Sequence, residues 1–308
     1  MEFVHAPVML AEVLAALRPK PGGVYADGTL GGGGHSAAIL EASASDGWLW
    51  GCDRDEVALE AAGLKLARFA GRFELRRLNY AEWGGWIAPA SVDGALLDLG
   101  VSSPQLDVAE RGFSFQREGP LDMRMDARQP LDAALLVNEW PETELARIFW
   151  ELGGERQSRR IAKAIAEARA ARRIETTTQL AGLIEKVIPR YGQKAHPATQ
   201  VFQALRMTVN DELGALRQGL TGAVTMLRSG GRLAVITFHS LEDRMVKRFG
   251  NERSLDYTFD GAVDVPELRR SRTPELRWVQ RKAIQPSTAE VAANPRARSA
   301  QLRVMEKI

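Results

Sequence analysis

Tyr25-Ala26-Asp27-Gly28-Thr29-Leu30-Gly31-Gly32-Gly33-Gly34-His35 is the stretch on which the reading of this chain turns. It follows a short apolar lead-in and runs into Ser36-Ala37-Ala38-Ile39-Leu40, which has the spacing of a helix start. Consecutive glycines at a strand-to-helix turn let the backbone reach positive φ and lie against a ligand with no side chain in the way. The run does not match G-x-G-x-x-G, because Thr29-Leu30 follows Gly28 and the other glycines are consecutive. About twenty residues further on, the apolar run Trp48-Leu49-Trp50-Gly51-Cys52 ends in Asp53. A glycine turn followed at that distance by a strand-terminal acid is the pattern that holds an adenosyl ribose through its hydroxyls.

The same rhythm continues outward. Asp55 is placed to cap a helix over 56–69, Arg72–Leu78 alternates as a third strand, and Asn79-Tyr80 follows it. Val92–Asp98 reads as a buried fourth strand, again ending in an acid. Strand and helix alternating in this way imply an α/β fold with a doubly wound, Rossmann-like parallel sheet. Three strands then end at Asp27, Asp53 and Asp98, on the carboxyl edge where such sheets bind ligands. After Asp98 a long irregular segment carrying Phe113, Phe115, Met123 and Met125 gives way to a run of helices. Ser229-Gly230-Gly231 then turns the chain into a fifth strand over 232–238, which ends at His239-Ser240. The expected organisation is a discontinuous core of residues 1–104 and 209–308, with a helical substrate-recognition insertion over 105–208 between the fourth and fifth strands. Trp278–Ile284 and Gln301–Met305 are expected to be a final pair of strands closing the sheet.

Bulk properties narrow the function classes. The chain has 308 residues, 45% hydrophobic and 26% charged, which suits an ordinary globular protein with a large core. Its formal charge of only +2 means that nucleic-acid affinity must come from local patches. Cys52 is the single cysteine, so no internal disulfide is possible and a reducing, cytoplasmic setting is expected. The four histidines are not clustered with it, and no metal site is expected. No apolar run approaches membrane-spanning length, and Met9–Leu17 reads as an amphipathic helix rather than a signal peptide.

Among individual residues, His35 at a helix N-terminus would have its proton disfavoured by the dipole, which points to binding rather than to base chemistry. His196 and His239 read as structural. The Arg156, Arg159, Arg160, Lys163 stripe opposes Ile161, Ala164, Ile165 and Ala168, the pattern of a solvated face that is also available to RNA. The tail arginines, including Arg269, Arg277, Arg298 and Arg303, carry the same two readings. Phe113, Phe115, Met123 and Met125 suit packing in a cleft better than stacking on a base.

Several longer motifs go further. They include Asp27–Ser36, Leu96-Leu97-Asp98-Leu99-Gly100-Val101-Ser102-Ser103-Pro104-Gln105, Glu110–Phe115 and Gly119-Pro120-Leu121-Asp122-Met123-Arg124-Met125-Asp126. His196–Thr199, Phe202–Arg206, Val209–Leu213, Phe238-His239-Ser240-Leu241-Glu242-Asp243-Arg244 and Asn294-Pro295-Arg296-Ala297-Arg298-Ser299 complete the set. Together they resemble the bacterial 16S ribosomal RNA cytosine-N4 methyltransferases, the MraW-type family, over nearly the whole chain. The resemblance implies S-adenosylmethionine as cofactor and, as substrate, a cytidine of 16S rRNA near the decoding centre of the small ribosomal subunit. Carried over by position, the cofactor contacts are Gly33, Gly34, His35, Asp53, Asp98 and Gln105. Tyr80 stands beside the adenine where the family commonly has phenylalanine, keeping the ring and adding a hydroxyl.

The chemistry sets its own demands. The exocyclic amine of cytosine is conjugated with its ring, so it must be aligned with the sulfonium methyl in a dry site whose acceptors face its N–H groups. Ser102, Ser103, Asp122 or the backbone carbonyls of Leu99–Ser102 are the candidate acceptors. Attack at nitrogen calls for no cysteine adduct, and a sulfonium donor calls for no metal. Arg124, Arg206, Arg244 and the basic helix with Arg156 and Arg160 are candidates for RNA phosphates. A nicotinamide dehydrogenase shares the glycine turn and the acid but not the Gly-Val-Ser-Ser loop, and a non-catalytic ribosome-assembly factor is a further alternative.

Overall fold

A computed structural model describes residues 7–189, 196–259 and 264–308, and the backbone alone of Ser103. The chain divides into two compact units, Met1–Gly100 with Gly214–Ile308, and Val101–Leu213.

The first unit is built on β1 (Val24–Asp27), β2 (Trp48–Asp53), β3 (Phe73–Arg77), β4 (Val92–Asp98), β5 (Leu227–Thr237), β8 (Leu276–Trp278) and β9 (Gln301–Lys307); a separate pair, β6 (Tyr257–Phe259) and β7 (Arg269–Ser271), lies between β5 and β8 in sequence. These form a seven-stranded sheet in the order β3-β2-β1-β4-β5-β9-β8 and a small two-stranded sheet, β6-β7. The first five strands pair parallel, while β9 is antiparallel to both β5 and β8. Because successive side chains point to opposite faces, the strands feed two separate cores. Tyr25, Leu49, Leu96, Ala234 and Ile236 belong to one, and Ala26, Cys52, Ala95, Leu97 and Val235 to the other. Burial on both faces explains the continuous apolar runs read from the sequence.

Strand order reverses between β1 and β4: the chain moves outward through β2 to β3 and then returns to the other side of β1. That reversal opens a crevice at the carboxyl ends of the two strands. The helix Gly34–Ala42 begins there, directly after the glycine run. The helix Glu56–Leu66 follows β2 and is capped by the Asp55 carboxylate, which accepts from the Val57 N–H at 3.2 Å.

Two strand boundaries differ from expectation. β5 starts at Leu227, and Ser229-Gly230-Gly231 forms an irregularity within it, the register jumping between Val92 and Gly94 on β4. Gly230, at φ 78°, takes up the left-handed conformation that this bulge requires. The expected strand over 278–284 is split into β8 and an isolated bridge, Ile284 to Leu302.

The second unit holds helices Ala133–Glu139, Glu142–Glu151, Ser158–Ala171, Thr177–Val187 and Ala198–Val209. They share one core containing Leu136, Phe149, Ile161, Ile165, Leu180, Ile184, Phe202 and Leu205. Phe113, Met123 and Met125 are buried in this same core beside Leu121, with Phe115 packed against it, which corrects the reading of these two phenylalanines and two methionines as cleft-packing residues. The Asn210 side chain pins their loop, accepting from the Met125 N–H at 2.9 Å and donating to the Met123 carbonyl at 2.7 Å.

Candidate functional site

An internally satisfied acid stands at the carboxyl end of β1. Asp27 is 1% exposed. Its carboxylate accepts from Ser36 Oγ at 2.7 Å and from the Thr29 N–H at 3.1 Å. Burial raises its pKa, against the pull of Ser36. Asp27 therefore ties the strand end to the following helix, and its oxygens are engaged within the protein. Thr29 extends the brace to the neighbouring strand, its hydroxyl accepting from the Asp98 N–H at 2.7 Å.

The turn itself is shaped for close approach. Gly33 caps the helix Gly34–Ala42 at φ 73°, and a Cβ there would sit 3.1 Å from the Ala62 backbone. The leading N–H groups of any helix have no intrahelical acceptor, and no side chain caps this one. Such an uncapped end, here at Gly33, Gly34 and His35, is suited to an anionic group. His35 is 6% exposed, and its Nε2 lies 3.5 Å from Asp98 Oδ2. Both ring nitrogens of His35 and the Asp98 Oδ1 are buried without a hydrogen-bond partner among the described residues. Buried polar atoms left in this way carry a desolvation penalty that a polar ligand would relieve.

At the end of β2, Asp53 accepts from the Gly31 N–H at 3.0 Å and from the Asp55 N–H at 2.9 Å. Burial outweighs both N–H groups and pushes its carboxyl up to about 6. Each carboxylate oxygen has a further lone pair for a ligand hydroxyl. Tyr80 follows β3 at 8% exposure, its ring set edge-on to Trp83 at 6.5 Å between centroids. Gly28 belongs to the same glycine turn but is not among the residues expected to contact the cofactor. A Cβ on it would meet Tyr80, Trp83 and Leu97 at 2.7–2.9 Å, so the turn lies directly on the aromatic floor. Cys52 is fully buried beneath, and burial raises its thiol well above the ordinary range, so it offers no nucleophile. An adenosyl group with a charged tail fits this edge: Asp53 for hydroxyls, and His35, Asp98 and the helix start for the tail.

The remaining candidates sit elsewhere. In the second unit, the Gln105 side chain turns back to accept from the Ser102 N–H at 3.0 Å, closing the start of helix Ser103–Asp107. Ser102 is the cap of that helix, and the side chain of Ser103 lies outside the described residues. Asp122 and Arg124 form a two-pronged ion pair at 2.9 and 2.7 Å, and Arg124 also donates to the Ala127 and Gln129 carbonyls. Burial alone would raise the Asp122 carboxyl, but Arg124 outweighs it and holds the group below the usual carboxylate range. The pair engages both the proposed acceptor and the proposed phosphate ligand in bracing their own loop. Arg206 is similarly taken up by Glu212, at 2.7 and 2.8 Å and largely buried. Arg156, Arg159, Arg160 and Lys163 are exposed, as is Arg244.

His196 and His239 have structural partners. His196 accepts from the Ala198 N–H at 3.1 Å and pairs with Glu185 at 2.9 Å. His239 caps helix Ser240–Arg253 and lies 3.1 Å from Glu242. Three of the tail arginines are likewise engaged. Arg303 is buried against Asp243 at 2.6 and 2.9 Å, Arg277 bonds Glu306, and Arg269 bonds Asp264.

Comparison with known proteins bears on the whole length. A family model described as the MraW methylase family matches residues 2–308. A protein of Symbiobacterium thermophilum named ribosomal RNA small subunit methyltransferase H is 50% identical over 313 residues, covering 100% of this chain and 98% of the relative. The protein of the same name from Heliobacterium mobile is 49% identical over 314 residues, and that from Geobacter sulfurreducens 51% over 313, each covering 100% of both chains.

Proposed function

The chain belongs to the MraW methylase family, and on that premise we propose that it methylates the exocyclic N4 amine of a cytidine in 16S rRNA, with S-adenosylmethionine as donor. The observation that carries the reading is the carboxyl edge of β1 and β4, where Asp98 Oδ1 and both nitrogens of His35 are buried without a hydrogen-bond partner among the described residues, beside an uncapped helix start.

When bound, the sulfonium donor supplies an electrophilic methyl group that needs no metal activation. Asp53 accepts from the ribose hydroxyls, and its carboxylate is held in place by the Gly31 and Asp55 N–H groups. His35, Asp98 and the N–H groups at Gly33 and Gly34 hold the amino-acid end. Tyr80 supplies the apolar ring under the adenine side. The cytosine amine is oriented by acceptors on the segment leaving β4, the carbonyls of Leu99–Ser102 or the Ser102 hydroxyl, and these take hydrogen bonds from its N–H groups as charge develops. Asp122, held ionised by Arg124, serves the loop rather than the amine. Exposed Arg156, Arg160 and Arg244 contact RNA phosphates, and the assembled small subunit in the cytoplasm is the setting of the reaction.

The test is transfer of a labelled methyl group to protein-free 16S rRNA and to assembled small subunits, followed by digestion to nucleosides. Label in N4-methylcytidine, with the subunit as the better substrate, is expected. Label in another nucleoside, or in neither substrate, would reject the proposal.

A further inference from the structure

Two of the motifs that carry the family resemblance, Phe238–Arg244 and Asn294–Ser299, are far apart in sequence and play no part in the cofactor edge. In the first unit they converge on one cleft of about 490 Å³ at the carboxyl end of β5. Its polar lining includes Arg298, Ser240, Thr288, Ser299, Gln285 and Gln301, together with His239, which lies 3.1 Å from Glu242. Apart from His239, none of these side chains has a hydrogen-bond or ionic partner among the described residues; Gln301 is half-buried and the other five, Arg298 included, are solvent-exposed. The start of helix Ser240–Arg253 opens here too, but Glu242 turns back to accept from the Phe238 and His239 N–H groups. That internal carboxylate uses the helix end, so positive charge in the cleft comes from Arg298. Phe238 lies both in the cleft and against Gly100, two residues past Asp98, which places the cleft one strand away from the cofactor edge.

A free guanidinium among hydroxyls and amides, with the Glu242 carboxylate already engaged by the Phe238 and His239 N–H groups, is a donor set for a phosphodiester and its ribose hydroxyl. We propose that this cleft binds the RNA backbone beside the target nucleotide, with Arg298 on a phosphate and Ser240, Ser299 and the two glutamines on the phosphate and 2′-hydroxyl. The inference rests on the rRNA-methylating role proposed above. It assigns that role a backbone contact on the sheet-bearing unit, separate from the basic helix of the insertion.

Binding of a 16S rRNA transcript is measured against salt concentration for the native protein, Arg298→Gln, Arg298→Lys and Ser240→Ala. Arg298→Gln should weaken binding about fivefold at low salt and lower the slope of log K against log salt by about one phosphate contact. Arg298→Lys should restore the slope, and Ser240→Ala should weaken binding less while leaving the slope unchanged. Affinity for S-adenosylhomocysteine and the melting temperature should stay at native values in all three. An Arg298→Gln protein with native RNA affinity and slope overturns this inference while leaving the methylating role untouched. Absence of methyl transfer by the native protein counts against the role itself, and a native protein that binds no RNA overturns both.

Discussion

Asp53 makes the pH dependence of cofactor binding a direct test of the site. In the free protein its carboxyl titrates at about 6, against 3.8 for an unhindered aspartate. The folded value lies above the unfolded one, so the stability from this group is fully present below about pH 4 and is lost as pH rises through 6. Ionising it in the folded protein costs about 3 kcal/mol relative to a free carboxyl. Ribose hydroxyls donating to the carboxylate favour the ionised form, so binding displaces a proton below pH 6. Affinity for S-adenosylhomocysteine should therefore be flat above pH 6.5 and roughly tenfold weaker at pH 5 than at pH 7. Calorimetric titration in buffers of differing ionisation enthalpy reads both the affinity and the proton released. Asp53→Asn should bind more weakly by about 1.5–3 kcal/mol, the worth of hydrogen bonds to a charged group, and lose the slope. Constant native affinity from pH 5 to 8, with no proton release, would refute this role for Asp53.

Other perturbations have separate expected outcomes. Gly33→Ala must hold a left-handed backbone and meet Ala62, so thermal unfolding should report a loss of about 1–2 kcal/mol together with weaker cofactor binding. Asp122→Asn removes the partner of Arg124 and should destabilise the protein by about 1–3 kcal/mol in denaturant titration, while single-turnover methyl transfer by the folded fraction is retained. Because the Asp122 carboxyl is lowered in the folded state, its stabilisation is present above about pH 4 and lost as pH falls through the folded value, a loss that Asp122→Asn should abolish in acid titration. Arg206→Gln leaves the largely buried Glu212 without its ion-pair partner and should cost about 3 kcal/mol, with RNA affinity of the folded protein unchanged.

The sheet was legible because strands buried on both faces announce themselves as apolar runs, and because Asp27, Asp53 and Asp98 punctuate their ends. What separates these three acids is not visible in sequence. Asp27 is consumed by Ser36 and Thr29, whereas Asp98 keeps a buried oxygen unmet, a difference set by which neighbour the fold brings within hydrogen-bond reach. The arginines were illegible for the same reason. Arg206 and Arg303 look like basic surface until the fold places Glu212 and Asp243 against them, while Arg298, in the tail with Arg303, has no partner among the described residues. The bulge in β5 was hidden because Ser229-Gly230-Gly231 has the composition of a turn wherever it occurs.

The placement of the helical insertion has a kinetic consequence. β4 and β5 are neighbours in the sheet, yet the chain between Asp98 and Leu227 carries an entire second core. Pairing these strands across a slack linker of that length would carry a large loop-closure entropy and a high contact order, both of which slow folding. An insertion that condenses early on its own local helical contacts shortens the effective loop. Destabilising the insertion should therefore retard assembly of the sheet even where it leaves every strand contact unchanged.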